Sequence, residues 1–129
     1  MNIGDAAQAS ALSPKMIRHY ESIGLLPRAV RTRSNYRVYG PNDVHRLRFI
    51  KRARALGFSM QEIKELLGLW HNKARSSSAV KKIATRHVDD LKRRIAELES
   101  MVHTLEHLAE HCHGDHRPEC PILEDLAKD

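Results

Sequence analysis

A chain of 129 residues with 41% hydrophobic content can bury one modest core and carry a helical extension. No apolar run approaches the roughly 18 residues that span a bilayer, and no leader with a long apolar centre is present, which predicts a cytoplasmic protein with no membrane partner. The formal charge of +6 is uneven: residues 1–75 hold 14 basic and 5 acidic side chains, and residues 76–129 hold 8 and 11, so a polyanion-binding front half is joined to a mildly acidic back half.

Ile3 to Ala9 reads as a short Ala-rich helix. Ser13-Pro14 opens the next, with Ser as N-cap and Pro at the first helical position. Its apolar side is Met16, Ile17, Tyr20 and Ile23, and Gly24 closes it. Residues 27–40 carry no helical period, and the alternation Tyr36-Arg37-Val38-Tyr39 predicts a short strand after an Arg-rich turn. Pro41 starts a third helix that runs to about Leu56. Ser59-Met60-Gln61-Glu62 is a capping box that opens a fourth, with the apolar stripe Ile63, Leu66, Leu67 and Trp70. A long helix follows from about Ser76–Ser78 to His111. A loop from Cys112 to Cys120 comes next, and Pro121 opens a last short helix. The predicted fold is mostly α. Its domains are a helix-turn-helix head with linking helices over 1–75, a coiled-coil helix over 76–111, and a loop with a short helix over 112–129.

Lys15, Arg18, His19 and Ser22 stand opposite the apolar side of the second helix, spaced i, i+3, i+4, i+7. Two short helices joined by a tight turn, the second with an exposed basic face, form a helix-turn-helix whose second helix suits the major groove. Arg28, Arg31, Arg33 and Arg37 follow beside Tyr36 and Tyr39, a pairing of bidentate phosphate donors with flat hydroxyl-bearing rings. From charge and period alone, a solvated basic face on an ordinary helical domain is the alternative.

In the long helix, Ala84, Val88, Leu91, Ile95, Leu98, Val102, Leu105 and Ala109 are separated by alternating steps of four and three, a heptad seam. The chain has no second long helix to cover it, so the seam predicts a homodimer, the alternative being a helix folded back on its own head. His103, His107 and His111, at i, i+4 and i+8, lie off this seam. That spacing could hold Zn or Ni, or be a solvated stripe.

Two cysteines are too few for a disulfide scaffold. Cys112 and Cys120 bracket a short loop that also holds His113 and His116. Cys120 immediately precedes Pro121, which places its sulfur near the amides of a helix start and favours a thiolate. Two thiolates are soft ligands suited to Cu(I), Ag(I), Zn or Hg, whereas buried cysteines or a redox disulfide are the plainer readings. With a monovalent ion the pair carries −1 and a linear shell is complete. A divalent ion would need further ligands, and His111, His113 and His116 are near enough in sequence to supply them. A thiol-redox enzyme would want C-x-x-C or a nucleophile–base–acid set, and neither occurs, so no catalytic residue is assigned.

Several segments together resemble the MerR family of bacterial transcription activators: Ile3-Gly4-Asp5-Ala6-Ala7, Ile17-Arg18-His19-Tyr20-Glu21 with Gly24-Leu25, Asn35-Tyr36-Arg37-Val38-Tyr39, Leu47-Arg48-Phe49-Ile50 and Leu56-Gly57-Phe58-Ser59. The likeness covers essentially the whole chain. It implies a winged helix-turn-helix head, an antiparallel coiled-coil homodimer, and DNA contacts at Arg18, Tyr20, Arg31, Tyr36 and Arg37. It also implies promoter DNA of dyad symmetry and RNA polymerase as partners, with activation by distortion of an overlong promoter spacer. The wing turn here is Ser34-Asn35-Tyr36-Arg37 where the family often has Asn-Gly-Tyr-Arg, and Asn tolerates the left-handed backbone that Gly would supply.

Ser77 matches the family position that separates sensors of divalent ions, with Cys, from those of monovalent coinage metals, with Ser. Lys81 and the run Cys120-Pro121-Ile122-Leu123-Glu124-Asp125-Leu126 are similar to the copper(I)-sensor subgroup. The resemblance thus implies Cu(I) held by Cys112 and Cys120, one ion per loop and two per dimer, with Ag(I) and Au(I) of the same chemistry. The function implied is activation of metal efflux or detoxification genes; the alternative is a Zn, Cd or Hg sensor.

Overall fold

Side-chain caps fix where the helices of the first half begin. Asn2 caps α1 (Ile3–Ser10) by accepting from the Asp5 amide at 2.8 Å, and Ser13 caps α2 (Pro14–Ser22) by accepting from Met16 at 3.1 Å. Only Ala11, Leu12 and Ser13 separate the two helices, and Ala11 takes a left-handed backbone (φ 58°) to make so tight a turn. The computed structural model describes every residue except Arg28, Lys73, His113, His116, Arg117 and Asp129. Among the described residues the chain forms six helices and one two-stranded ribbon.

The ribbon is β1 (Val30–Arg31) paired antiparallel with β2 (Arg37–Val38), in the register Val30 to Val38 and Arg31 to Arg37. The expected strand over 36–39 is present but shorter. Its partner β1 carried no sequence signal, because two residues are too few to show a period. Asn35 sits at φ 67° in the connecting turn, the left-handed conformation expected of it. Gly24, at φ 81°, ends α2 as a C-terminal cap.

α3 (Pro41–Ala55) starts with the Gly40 amide donating to Asp43 Oδ2 at 2.8 Å. The expected capping box opens α4 (Met60–His71): Ser59 Oγ accepts from the Glu62 amide, and the Ser59 amide donates to Glu62 Oε1 at 2.9 Å. The core gathers Ala6 and Ala7 of α1, Ile17 and Tyr20 of α2, Leu47 and Ile50 of α3, and Ile63 and Leu67 of α4, with Leu25, Leu26 and Tyr39 from the connections. Each large aliphatic side chain so buried stabilises the head by about 1.5–3 kcal/mol against exposure. Arg48 donates twice to the Ala9 carbonyl and Lys51 once to Ala11, so two cations of α3 meet the carbonyl end of α1. That contact sets the helix-turn-helix against α3. Trp70, expected in the apolar stripe of α4, stays 40% exposed but stacks on Phe49 with ring centres 4.9 Å apart.

α5 (Ser77–Glu110) has 34 residues and so runs ~50 Å. α6 (Pro121–Leu126) closes the chain. Two compact units result, Met1–Ile83 and Ala84–Asp129. In the second unit the seam residues Val88, Ile95, Leu98, Val102 and Leu105 are each between 46% and 59% exposed. No helix among the described residues is long and apolar enough to cross a membrane.

Candidate functional site

The two faces of α2 separate as the periodicity requires. Ile17 and Tyr20 are buried, while Lys15, Arg18, His19 and Ser22 are exposed. The wing folds back beside this helix. Arg18, Glu21 and Ser22 of α2 and Ala29, Arg31 and Arg37 of the ribbon segment together line one cleft of about 370 Å³. Three arginines expected as separate DNA contacts therefore share one wall.

Glu21 ties the two sides of this cleft together, and this role was missed in the sequence. Its Oε1 accepts from the Ala29 amide and its Oε2 from the Tyr39 hydroxyl, both at 3.2 Å. Arg37 Nε lies 3.3 Å from the same Oε2 as an ion pair, although its N–H is not aimed for a hydrogen bond. Burial first and the Glu21 carboxylate second push the Tyr39 hydroxyl up to about 12, so it remains a donor throughout the physiological range. The signal available in the sequence was one acid in a segment otherwise rich in arginine.

Arg31 Nη1 donates to the Asn35 carbonyl at 3.2 Å, bracing the turn of the wing. Tyr36 stands at that turn 72% exposed. Tyr20 requires a correction: it is 3% exposed and belongs to the core, leaving next to no surface for a nucleic acid to meet. Its ring is spent on the packing that holds α2 in place, the role its apolar-side position also indicated. Arg28 lies outside the described residues.

In the second unit the Cys112 and Cys120 sulfurs are 4.0 Å apart, both half-buried and not joined. Cys112 follows the end of α5, where its amide still donates to Ala109. Cys120 is the N-cap residue of α6. The Leu123 amide, and after it the Ile122 amide, hold the Cys120 thiol below its ordinary range, outweighing the opposing effect of burial. Among the described residues no group of three or more His, Cys, Asp or Glu side chains is arranged to hold a metal. His113 and His116 lie outside the described residues. Ser77 opens α5 and Lys81 follows one turn on, both exposed.

The family model described as MerR HTH family regulatory protein matches residues 1–69, and a second, MerR DNA binding, matches residues 44–108. The chain belongs to the MerR family. As a MerR-family chain it is a DNA-binding transcription regulator and not an enzyme. The matched regions contain α2, the wing and most of α5, but they stop short of the cysteine loop. Family membership therefore accounts for the DNA-binding head, while the thiol pair lies beyond the matched residues.

Over nearly its whole length this MerR-family chain is 60% identical to the HTH-type transcriptional regulator HmrR of Sinorhizobium medicae, covering 99% of this chain and 87% of the relative. It is 39% identical to the HTH-type transcriptional regulator CueR of Salmonella typhimurium, covering 98% and 92%. Among solved structures, a transcription regulator from Ralstonia metallidurans in complex with lead(II) superposes with a TM-score of 0.87 at 31% identity, covering 98% of this chain and 99% of the other.

Proposed function

We propose that this MerR-family chain is a copper(I)-responsive transcription activator in which Cys112 and Cys120 together hold the ion. The observation that carries the reading is the sulfur pair 4.0 Å apart, with one sulfur at a helix N-cap that favours its thiolate. A straight sulfur–metal–sulfur unit with bonds of about 2.3 Å spans ~4.6 Å, so a slight opening of the loop would suffice. Two soft thiolates satisfy a monovalent ion without a further ligand. Ag(I) and Au(I) fit by the same chemistry. Relatives bearing the names heavy metal-dependent transcription regulator 1 and 2, both from Rhizobium meliloti, are 57% and 58% identical and support a metal-responsive role.

In this reading residues 1–75 bind promoter DNA, residues 76–111 form the coiled coil of a homodimer, and residues 112–129 form the sensor. Lys15, Arg18, His19, Arg31, Tyr36 and Arg37 present the DNA surface, two copies of it to a site of dyad symmetry. Ser77, a hydroxyl in place of a thiol, disfavours divalent ions, and the Lys81 ammonium offsets the residual negative charge. The bound ion supplies a cross-link, and the chain does the rest by ordering the loop and α6 and altering how the dimer bends its DNA for RNA polymerase.

Anaerobic titration with Cu(I), followed by X-ray absorption, tests the assignment. One ion per protomer with two short sulfur distances and no nitrogen is expected. A shell with three or more protein ligands would instead make the protein a sensor of divalent ions.

A further inference from the structure

The C-terminal end of α5 carries a second arrangement of metal-binding type that the thiol pair does not use. His107 and His111 are exposed, with ring centres 4.3 Å apart and planes inclined at 47°. His111 Nδ1 lies 2.7 Å from the His107 carbonyl oxygen. A carbonyl oxygen only accepts, so Nδ1 is the donor in this contact and Nε2 is the ring nitrogen left to face an ion, the arrangement in which metal-ligating histidines donate their other N–H to a carbonyl. With metal–nitrogen bonds of about 2.0 Å, an ion in the plane of each ring lies roughly 3.2 Å from each centre. Centres 4.3 Å apart, less than twice that distance, let one ion meet a nitrogen of each ring, and imidazole nitrogen suits Ni(II) and Cu(II).

We propose that His107 and His111 form a nitrogen-donor chelate for a divalent ion, Ni(II) or Cu(II), separate from the thiol pair. The carbonyl end of a long helix favours a cation there. The pair is exposed, so water has access to the remaining positions of the shell. With Val102 and Leu105 on the apolar seam, His107 and His111 fall on the opposite face of the helix and stay accessible when two copies pair.

The site is tested with Ni(II) alone, titrated by calorimetry into the full-length Cys112→Ser/Cys120→Ser protein. With the thiols removed, the outcome is independent of the copper reading. One Ni(II) per protomer is expected. His107→Gln and His111→Gln should each weaken binding by about tenfold or more, while His103→Gln leaves it unchanged. Gln is a good helix former, and circular dichroism verifies that α5 persists in each variant. Absence of Ni(II) binding, or binding unaffected by both His107→Gln and His111→Gln, overturns the proposal.

Discussion

Glu21 accepts from two donors, the Ala29 amide and the Tyr39 hydroxyl, and pairs by charge with the Arg37 guanidinium. One carboxylate thereby ties the wing to α2 and pairs with Arg37, which lines the same cleft. Tyr39→Phe should cost about 1 kcal/mol at neutral pH through loss of one hydrogen bond. The Tyr39 hydroxyl is raised to about 12 from an ordinary 10, so the folded state holds this proton more tightly than the unfolded chain. That contribution is complete below pH 10 and is lost as pH rises toward 12. Denaturant unfolding of the wild type and Tyr39→Phe should therefore give stabilities that converge above pH 10, and a gap constant across that range would show that Tyr39 is not coupled to Glu21. On the same face, Arg18→Ala and Arg37→Ala should each weaken operator binding. A lost base contact costs about 1–3 kcal/mol, while a lost phosphate contact lowers the salt slope by about one. Affinities measured at several salt concentrations separate the two cases, and unchanged values for both variants would remove this cleft as the DNA surface.

At the scale of elements, α5 is the one whose sequence pattern and single-chain structure are in tension. Its seam repeats every seven residues, yet Leu98 is 59% exposed in the lone chain. A row of half-exposed aliphatic residues along a 34-residue helix is a surface waiting for a partner. Leu98→Asp puts a charge into the centre of that row and should yield monomers in sedimentation equilibrium; a variant that remains a tight dimer would place the interface elsewhere. α6 shows the opposite economy. With six residues it is too short to be stable alone, and its start is set by Pro121 and by Cys120 as N-cap. An ion held at Cys120 would thus act directly on whether this helix is ordered.

For the molecule as a whole, the proposed reading gives DNA binding to the basic first unit and metal sensing to the thiol-bearing second unit. Cys112→Ser or Cys120→Ser should abolish Cu(I)-induced transcription in a purified polymerase assay and change operator affinity by no more than a few-fold. A response to Cu(I) that survives both substitutions would move the sensor to the histidines. Ser77→Cys adds a third thiolate and should admit a response to Zn(II) or Hg(II), because sulfur can complete a shell that a hydroxyl cannot. The same assay reads it, and a variant silent toward both ions would show that position 77 does not face the loop in the dimer.

Local chemistry made much of this legible in the sequence. Ser13-Pro14, the Ser59–Glu62 box, the two faces of α2 and the heptad of α5 each depend on residues a few positions apart, where spacing alone fixes geometry. Asn35 could likewise be assigned its left-handed turn from its side chain and position. Other features needed distant parts of the chain to meet. Strand β1 exists only because the turn at Asn35 brings Val30 opposite Val38. Tyr20 fits both a DNA-contact motif and an apolar stripe, and only packing against the other helices decided that it is core. Glu21 became the organiser of the wing because Tyr39, 18 residues on, comes within hydrogen-bonding distance. The approach of the Cys112 and Cys120 sulfurs to 4.0 Å belongs to the same class, set by how the chain turns between α5 and α6 rather than by the spacing of the two residues.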